Sequence, residues 1–225
     1  MLPIDHPELS LMMWLSNSDK TGITPADIFA YTKTSDVDSA RTVLLDELKS
    51  KELMYVYEHI ESPLMPVIRK MEEVGIAVDV PYLQELGSKY HIELTRYEKK
   101  IWEYAGREFN INSPKQLGEI LFDEMMLTAK GLKKTEGGAR STRESELEKL
   151  KDSHPIIEEI FRYRELQKLL STYIDTLPAL VSGDGRLHAR FNQAGTTTGR
   201  FSSSDPNLQN IPVKTELGKK IRDAF

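Results

Sequence analysis

The densest group of hydrogen-bonding side chains lies in the segment TGRFSSSDPNLQNIP, residues 198–212. It holds three serines, two asparagines, a glutamine and an arginine, and almost nothing that could fill a hydrophobic core. Such side chains donate to sugar and phosphate oxygens and fix a protein's register on a duplex without reading its sequence. Arg200, which follows Gly199, could reach the minor-groove acceptors that every base pair presents at nearly the same place. The alternative is a loop of Asx and serine turns that binds nothing.

Two other segments carry groups that suit phosphate. In AKGLKKTEGGARSTRE, residues 129–144, Ser141 and Thr142 would expose backbone N–H groups at a helix start. In FNINSPKQL, residues 109–117, Lys115 would lie in the first turn of a helix. The alternatives are a solvated charged loop for the first segment and a plain helix cap for the second. Between Lys130 and Arg143 the first segment has one acid, Glu136, against five basic residues: Lys130, Lys133, Lys134, Arg140 and Arg143.

Groups suited to catalysis are missing from the sequence. There is no GxxxxGK[ST] phosphate loop and no nucleophile elbow, and the five histidines are isolated from one another. Most acids stand beside lysines, as in ELEKLKD, which is typical of solvated helix faces. We therefore expect a protein with binding groups but no catalytic residue and no metal site.

The composition predicts a folded protein of the cytoplasm. The chain has 225 residues, of which 39% are hydrophobic, and no cysteine, which fits a reducing compartment. No apolar run approaches the roughly 20 residues that cross a bilayer, so we expect no membrane partner. The net charge of -5 argues alone against a polyanion partner, but the local clustering of charge matters more.

Helical spacing dominates the chain after a weakly patterned stretch of about 35 residues. Capping residues and prolines predict helix starts at Asp79, Ser113, Ser141 and Pro155. We predict helices over 36–53, from Val56 to Gly75 with bends at Pro63 and Pro66, and from Asp79 to Gly106. A turn at Asp184 and the alternation in RLHARFNQ predict a strand. The fold class is therefore mainly α and α+β overall: long antiparallel helices over 54–180, with a tip loop at 129–144, and a β-containing segment over 181–225.

These segments, in this order, resemble the thumb and the first part of the palm of bacterial DNA polymerase I, a family A DNA polymerase. The likeness runs from about Glu58 to Phe225, and TTTGRFSSSDPNLQNIP is its most specific part. Residues 9–53 resemble, more loosely, the end of the proofreading exonuclease fold. The resemblance predicts three parts: 1–53 as a remnant of a 3'-5' exonuclease-like domain, 54–180 as the helical thumb, and 181–225 as a truncated start of the palm.

The resemblance also implies which residues contact primer-template DNA. Arg200 would reach the minor-groove edge of the terminal pair, and Lys214 would lie against backbone phosphate. The thumb would grip the duplex backbone with Asn112, Ser113, Lys115, Lys133, Lys134, Arg140, Ser141 and Thr142, and Lys168, Ser171 and Thr172 would face the same duplex. Thr197, Asn207, Gln209 and Asn210 would stand near the primer terminus with Arg200.

Catalysis in this family uses palm aspartates, with Mg²⁺ and dNTP, and a helix of the fingers. The first aspartate follows a segment that resembles KKIRDAF, so we expect no cofactor in this chain and no catalysis by it alone. The missing palm and fingers portion is then an expected partner. The acidic pair of the exonuclease is absent as well, so we expect no exonuclease activity and interpret Asp36, Asp38 and Asp46 as helix-face residues.

The leading hypothesis is part of a DNA-directed DNA polymerase that binds primer-template DNA in replication or repair. One alternative is a stand-alone DNA-binding module derived from a thumb, and another is a helical scaffold with relic motifs. Because a palm strand would lack its neighbours, we also expect poor packing from about residue 181 onward.

Overall fold

A computed structural model describes residues 6–225, which divide into two compact units. Unit 1 comprises the described residues through Val78 together with Leu180–Ile211, and unit 2 comprises Asp79–Ala179 together with Pro212–Phe225. The first five residues of the predicted 1–53 part lie outside the described residues. The boundaries of these two units differ from the boundaries of the three parts that the resemblance suggests. The three-part division therefore stays a prediction.

The helices of unit 1 come from the amino-terminal third of the chain. They are α1 (Pro7–Ser16), α2 (Pro25–Thr32), α3 (Val37–Ser50), α4 (Met54–Val56) and α5 (Ser62–Val74), with a π-helical turn at Tyr57–Glu61 before α5. In α1, Met12 packs in the cluster with α3, while Leu11 and Trp14 pack in a second cluster with Ala194. Because α1 is buried on several sides, it has no polar face, and its sequence shows no helical period.

The strands of unit 1 are short and pair in two antiparallel ribbons. β1 (Ile76–Ala77) pairs with β2 (Arg186–Leu187), and β3 (Arg190–Asn192) pairs with β4 (Ser202–Ser204). The single strand predicted through RLHARFNQ is thus wrong, because the chain changes partners between Leu187 and Arg190.

Unit 2 is built around its longest helix. Its elements are α6 (Val80–Ala105), α7 (Pro114–Gly118) with a π-helical turn at Glu119–Glu124, α8 (Glu144–Leu147) with a 3₁₀ turn at Glu148–Leu150, α9 (Ile156–Leu169) with a π-helical turn at Leu170–Ile174, α10 (Leu177–Leu180), which extends one residue into unit 1, and α11 (Glu216–Arg222). The predicted ends of α6 are confirmed, since Asp79 Oδ1 accepts from the Tyr82 N–H at 2.9 Å and Gly106 ends the helix with a φ of 75°. Leu117, Ile120 and Ile160 belong to its fully buried core.

The poor packing predicted from residue 181 onward is contradicted within both units. Leu187 in unit 1 and Ile221 in unit 2 have no exposed surface. The Asp79 N–H donates to the Ala224 carbonyl at 2.8 Å. The expectation failed because β2 finds its partner in β1 and α11 packs against α9. Within residues 6–225, no helix is both long and apolar enough to span a bilayer.

Candidate nucleic-acid interface

Residues 197–211 of unit 1 present their predicted DNA-contacting side chains to solvent. Thr197, Arg200, Asn207, Gln209 and Asn210 are all exposed. The turn-forming alternative explains another part of the loop. Ser203 is buried and its Oγ donates to the Pro206 carbonyl at 3.2 Å, and the Asn207 Oδ1 accepts from the Gln209 N–H at 3.1 Å. Turn formation therefore accounts for Ser203 and one oxygen of Asn207, and it leaves Arg200, Gln209 and Asn210 available.

A hydrogen-bonded turn holds Arg200. Gly199 has a φ of 75°, a conformation that favours glycine. The Thr196 Oγ1 donates to the Arg200 carbonyl at 2.7 Å, and the Trp14 Nε1 donates to the Thr196 carbonyl at 2.9 Å. Trp14 and Thr196 were not among the predicted functional residues. An indole N–H that is mostly buried needs an acceptor, but the sequence does not say which one.

The tip loop of unit 2 is a closed hairpin. The Thr135 N–H donates to the Ala139 carbonyl at 2.7 Å, and the Ser141 N–H donates to the Lys133 carbonyl at 3.0 Å. The backbones of Lys134 and Arg140 form an isolated antiparallel β-bridge. These bonds leave the side chains of Lys133 and Lys134 exposed at the hairpin.

The predicted helix start at Ser141 is wrong. Ser141 and Thr142 are buried, with 5% and 7% of their surface exposed. Helix α8 begins at Glu144, and the Ser141 Oγ accepts from the Arg143 N–H at 3.3 Å instead. The Ser141 N–H pairs with the Lys133 carbonyl of the hairpin, and the helix begins three residues later, at Glu144. The buried side chains of Ser141 and Thr142 are therefore not accessible to a ligand.

A buried carboxylate and a half-buried guanidinium hold the two ends of the hairpin. Glu146 accepts from the Lys149 Nζ at 2.6 Å and from the Lys133 N–H at 2.8 Å, and these bonds hold the pKa of its carboxyl below the usual range. The Arg164 Nη1 donates to the Thr142 carbonyl at 2.6 Å, and burial lowers the pKa of that guanidinium. Sequence reasoning missed Glu146 and Arg164, because each looks like one more charge on a helix face.

Arg140 differs from the lysines of the hairpin. Its guanidinium pairs with Asp123 and lies 4.9 Å from the centre of the Phe122 ring. Both partners belong to the π-helical turn after α7. Arg140 therefore holds the hairpin against that turn, and its charge is already compensated.

The segment at 110–116 meets the hairpin at one cavity of about 820 Å³, whose lining includes Lys115, Lys134 and Arg140. The predicted helix cap is confirmed, since the Ser113 Oγ accepts from the Gln116 N–H at 3.4 Å. Asn112 donates from Nδ2 to the Tyr163 hydroxyl at 3.0 Å. The structure thus brings together the two segments, 109–117 and 129–144, whose sequences suggest phosphate binding.

The remaining predicted residues of unit 2 are exposed. Lys168 lies near the end of α9, Ser171 and Thr172 lie in the π-helical turn that follows, and Lys214 precedes α11. The Ser171 Oγ donates to the Gln167 carbonyl at 2.9 Å, which leaves it an oxygen that can accept.

The predicted lysines share one electrostatic property. Within residues 6–225, none has a carboxylate oxygen within 4.0 Å of its ammonium group, whereas Lys89 pairs with Glu85 and Lys151 pairs with Glu148. Uncompensated ammonium groups attract polyanions. The lysines of this set are Lys115, Lys133, Lys134, Lys168 and Lys214.

The described residues contain no cluster of side chains suited to binding a metal ion. Nowhere in the described part of the chain do three or more His, Asp or Glu side chains come together so that they could hold a metal ion. The Mg²⁺ that the resemblance implies therefore has no fitting ligand set among residues 6–225.

Comparisons with known proteins agree on one family. The model of DNA polymerase family A matches residues 80–225. The chain is 52% identical over 184 residues to the thermostable DNA polymerase I of Thermus thermophilus, which covers 81% of this chain and 22% of that protein. It is 47% identical over 194 residues to DNA polymerase I of Bacillus subtilis (strain 168), covering 86% of this chain and 22% of that protein.

A solved structure has the same fold. The POL domain of Pol1 from M. smegmatis, in complex with DNA primer-template and dNTP, superposes with a TM-score of 0.82 at 32% identity, covering 96% of this chain and 40% of that chain. The chain spans only 22% of the length of these two DNA polymerase I relatives. The family model, these relatives and the shared fold together show that the chain belongs to DNA polymerase family A.

Proposed function

We propose that this chain is the part of a family A DNA polymerase that grips primer-template DNA during replication and repair. The observation that carries the proposal is that the five lysines of unit 2 predicted to contact DNA are all exposed, with no carboxylate partner within the described residues. The structural neighbour from M. smegmatis is a complex with DNA primer-template, which supports the same ligand.

Each unit contributes a different kind of contact. In unit 2, the five lysines meet backbone phosphates, and Asn112, Ser113, Ser171 and Thr172 add neutral contacts to sugar and phosphate. In unit 1, Arg200 reaches the minor-groove edge of the terminal base pair, beside Thr197, Asn207, Gln209 and Asn210. We assign Ser141, Thr142 and Arg140 to holding the hairpin, because the first two are buried and the third is paired.

We further propose that the 225-residue chain binds DNA in the cytoplasm but neither extends a primer nor degrades one by itself. The described residues offer no set of side chains that fits a catalytic metal ion. The three parts 1–53, 54–180 and 181–225 then stand for an exonuclease-like remnant, the thumb and the start of the palm.

The remaining palm and fingers portion is the protein partner we propose. An apolar groove of about 540 Å³ in unit 1 is lined by Pro66, Val67, Met71, Val74 and Phe191. Val67 and Met71 are 51% and 44% exposed, and apolar surface of this kind marks a protein contact. Co-purification of a separately expressed palm and fingers portion, lost in Val67→Asp, would support this partner.

Fluorescence anisotropy of a labelled primer-template tests the DNA grip. We expect the purified chain to bind, and we expect Lys134→Ala to weaken the affinity about fivefold, the equivalent of ~1 kcal/mol for one exposed charge contact. Lys151→Ala is the matched control, because Lys151 is also exposed but is paired with Glu148. Equal affinities for Lys134→Ala and wild type, or no binding by wild type, would refute the proposal.

Primer extension with Mg²⁺ and all four dNTPs tests the proposed inactivity separately. We expect no elongated and no shortened primer at protein concentrations that saturate the DNA. Extension by the wild-type chain would contradict that proposal while leaving the proposed grip intact.

A further inference from the structure

Unit 1 contains another cavity, and none of the residues that line it is among those proposed to contact primer-template DNA. It has a volume of about 460 Å³ and lies among α1, α5, β3 and β4. Across the β3–β4 ribbon, Arg190 pairs with Ser204 and Asn192 pairs with Ser202, so these four residues share one face of the ribbon. The polar side chains of the lining include Ser10, Arg69, Arg190, Asn192, Ser202 and Ser204.

The charge of this cavity is unbalanced. Within residues 6–225, neither Arg69 nor Arg190 has a carboxylate oxygen within 4.0 Å. Glu72 also lines the cavity, but its Oε1 accepts from the Phe191 N–H at 2.7 Å. The lining therefore holds two arginines and one glutamate, and one oxygen of that glutamate already accepts from the backbone.

Hydrogen-bond donors outnumber acceptors in the same way. The Asn192 Oδ1 accepts from the Ala194 N–H at 2.9 Å, which leaves its amide N–H groups to donate. Each guanidinium brings five N–H donors and no acceptor, and the serine hydroxyls can donate as well. The ligand that satisfies such a lining is rich in acceptors and negatively charged.

We infer that this cavity binds a phosphate group, held between Arg69 from α5 and Arg190 from β3. Guanidinium forks match phosphate oxygens in a bidentate way, and two arginines from different elements can hold one phosphate from two sides. The phosphate belongs either to a free nucleotide or to the backbone of a DNA strand. The inference does not depend on the proposed grip, because its first test uses no DNA.

Isothermal titration calorimetry of the whole chain with inorganic phosphate, and then with dAMP, tests the site. We expect the double variant Arg69→Gln/Arg190→Gln to bind at least about tenfold more weakly than wild type. Lys70→Gln is the matched control, since Lys70 is the exposed neighbour of Arg69 on α5 but lines a different groove. Should the double variant fail to fold, Arg69→Lys keeps the charge without the fork, and we expect an intermediate loss.

A third arm distinguishes the source of the phosphate. If the site holds a DNA phosphate, the same double variant lowers the salt dependence of duplex binding by about 0.9 per lost phosphate contact, and Lys70→Gln does not. If it holds a free nucleotide, dAMP binding responds and duplex binding does not. The inference is overturned if the double variant, or Arg69→Lys in its place, matches wild type in phosphate, dAMP and duplex binding.

Discussion

At the scale of single residues, the partner of a charge decides its role. Lys134 and Arg140 lie on facing strands of one hairpin, yet Arg140 pairs with Asp123 and covers Phe122, while Lys134 stays uncompensated within residues 6–225. The sequence places both in one basic run and cannot separate them, because their partners come from another segment. The exposure of Lys133 and Lys134, by contrast, follows from a loop rich in glycine and charge.

Arg200 should recognise the primer terminus rather than the duplex in general. We expect Arg200→Ala to lower the affinity for a recessed primer end by about tenfold, roughly 1.4 kcal/mol, because a minor-groove hydrogen bond is lost. Affinity for a blunt duplex of the same length should barely change. Competition binding with the two DNAs measures the ratio, and an equal loss on both DNAs would show that Arg200 acts only as a general positive charge.

At the scale of elements, the helices that the sequence predicts best have one buried stripe and marked ends. Helix α6 is an example, with Asp79 at its start and Gly106 after its end. Helix α1 could not be found this way, since it is buried on several sides. The helix start at Ser141 was placed wrongly because a hairpin closure competes for the same serine.

Trp14 should act on the loop that carries Arg200. We expect Trp14→Phe to destabilise the protein by about 1 kcal/mol, because the Thr196 carbonyl loses its partner, and to reduce the preference for a primer end. Trp102→Phe is the matched control, since the Trp102 Nε1 donates to the Phe109 carbonyl at 2.8 Å within unit 2. Urea unfolding measures the stability of both variants. A loss of primer-end preference in Trp102→Phe as large as in Trp14→Phe would contradict this role.

His188 should make the junction of β2 and β3 sensitive to pH. Its Nδ1 lies 2.8 Å from the Glu72 carbonyl and its Nε2 lies 3.1 Å from an Asp184 oxygen, so both nitrogens must donate. The Glu72 carbonyl and then the Asp184 carboxylate raise the pKa of His188. This contribution to stability is complete below the ordinary histidine pKa and is lost as the pH rises through the raised value.

Urea unfolding of wild type and His188→Gln across the pH range from acid to alkaline checks the sign. We expect the variant to be less stable than wild type at acid pH and the gap to narrow as the pH rises. A gap that widens toward alkaline pH would show that the neutral imidazole is the stabilising form.

At the scale of the whole molecule, the chain builds each unit from two separated segments. Residues 180–211 return to the unit that holds α1 to α5, and residues 212–225 return to the unit that holds α6 and α9. The sequence predicted the kinds of element, and it singled out the two loops, 198–212 and 129–144, that we propose to contact DNA. It did not predict this return, because the pairing of β1 with β2 joins residues about 110 positions apart and leaves no local pattern.

Hydrogen exchange tests the packing of the last segment. We expect the amides of Asp79 and of α11 to exchange about as slowly as those inside α6, because the Asp79 N–H is bonded to the Ala224 carbonyl and Ile221 is fully buried. Rates typical of an unfolded chain over residues 212–225 would contradict the packing described for unit 2.

The salt dependence of primer-template binding tests the central claim most directly. The logarithm of the association constant should fall linearly with the logarithm of the salt concentration, with a slope of about -0.9 for each phosphate contacted. The double variant Lys133→Ala/Lys134→Ala should make that slope shallower by about 1.8, and Lys151→Ala should leave it unchanged. A slope near zero for wild type, or one that the double variant does not alter, would show that this surface does not hold DNA.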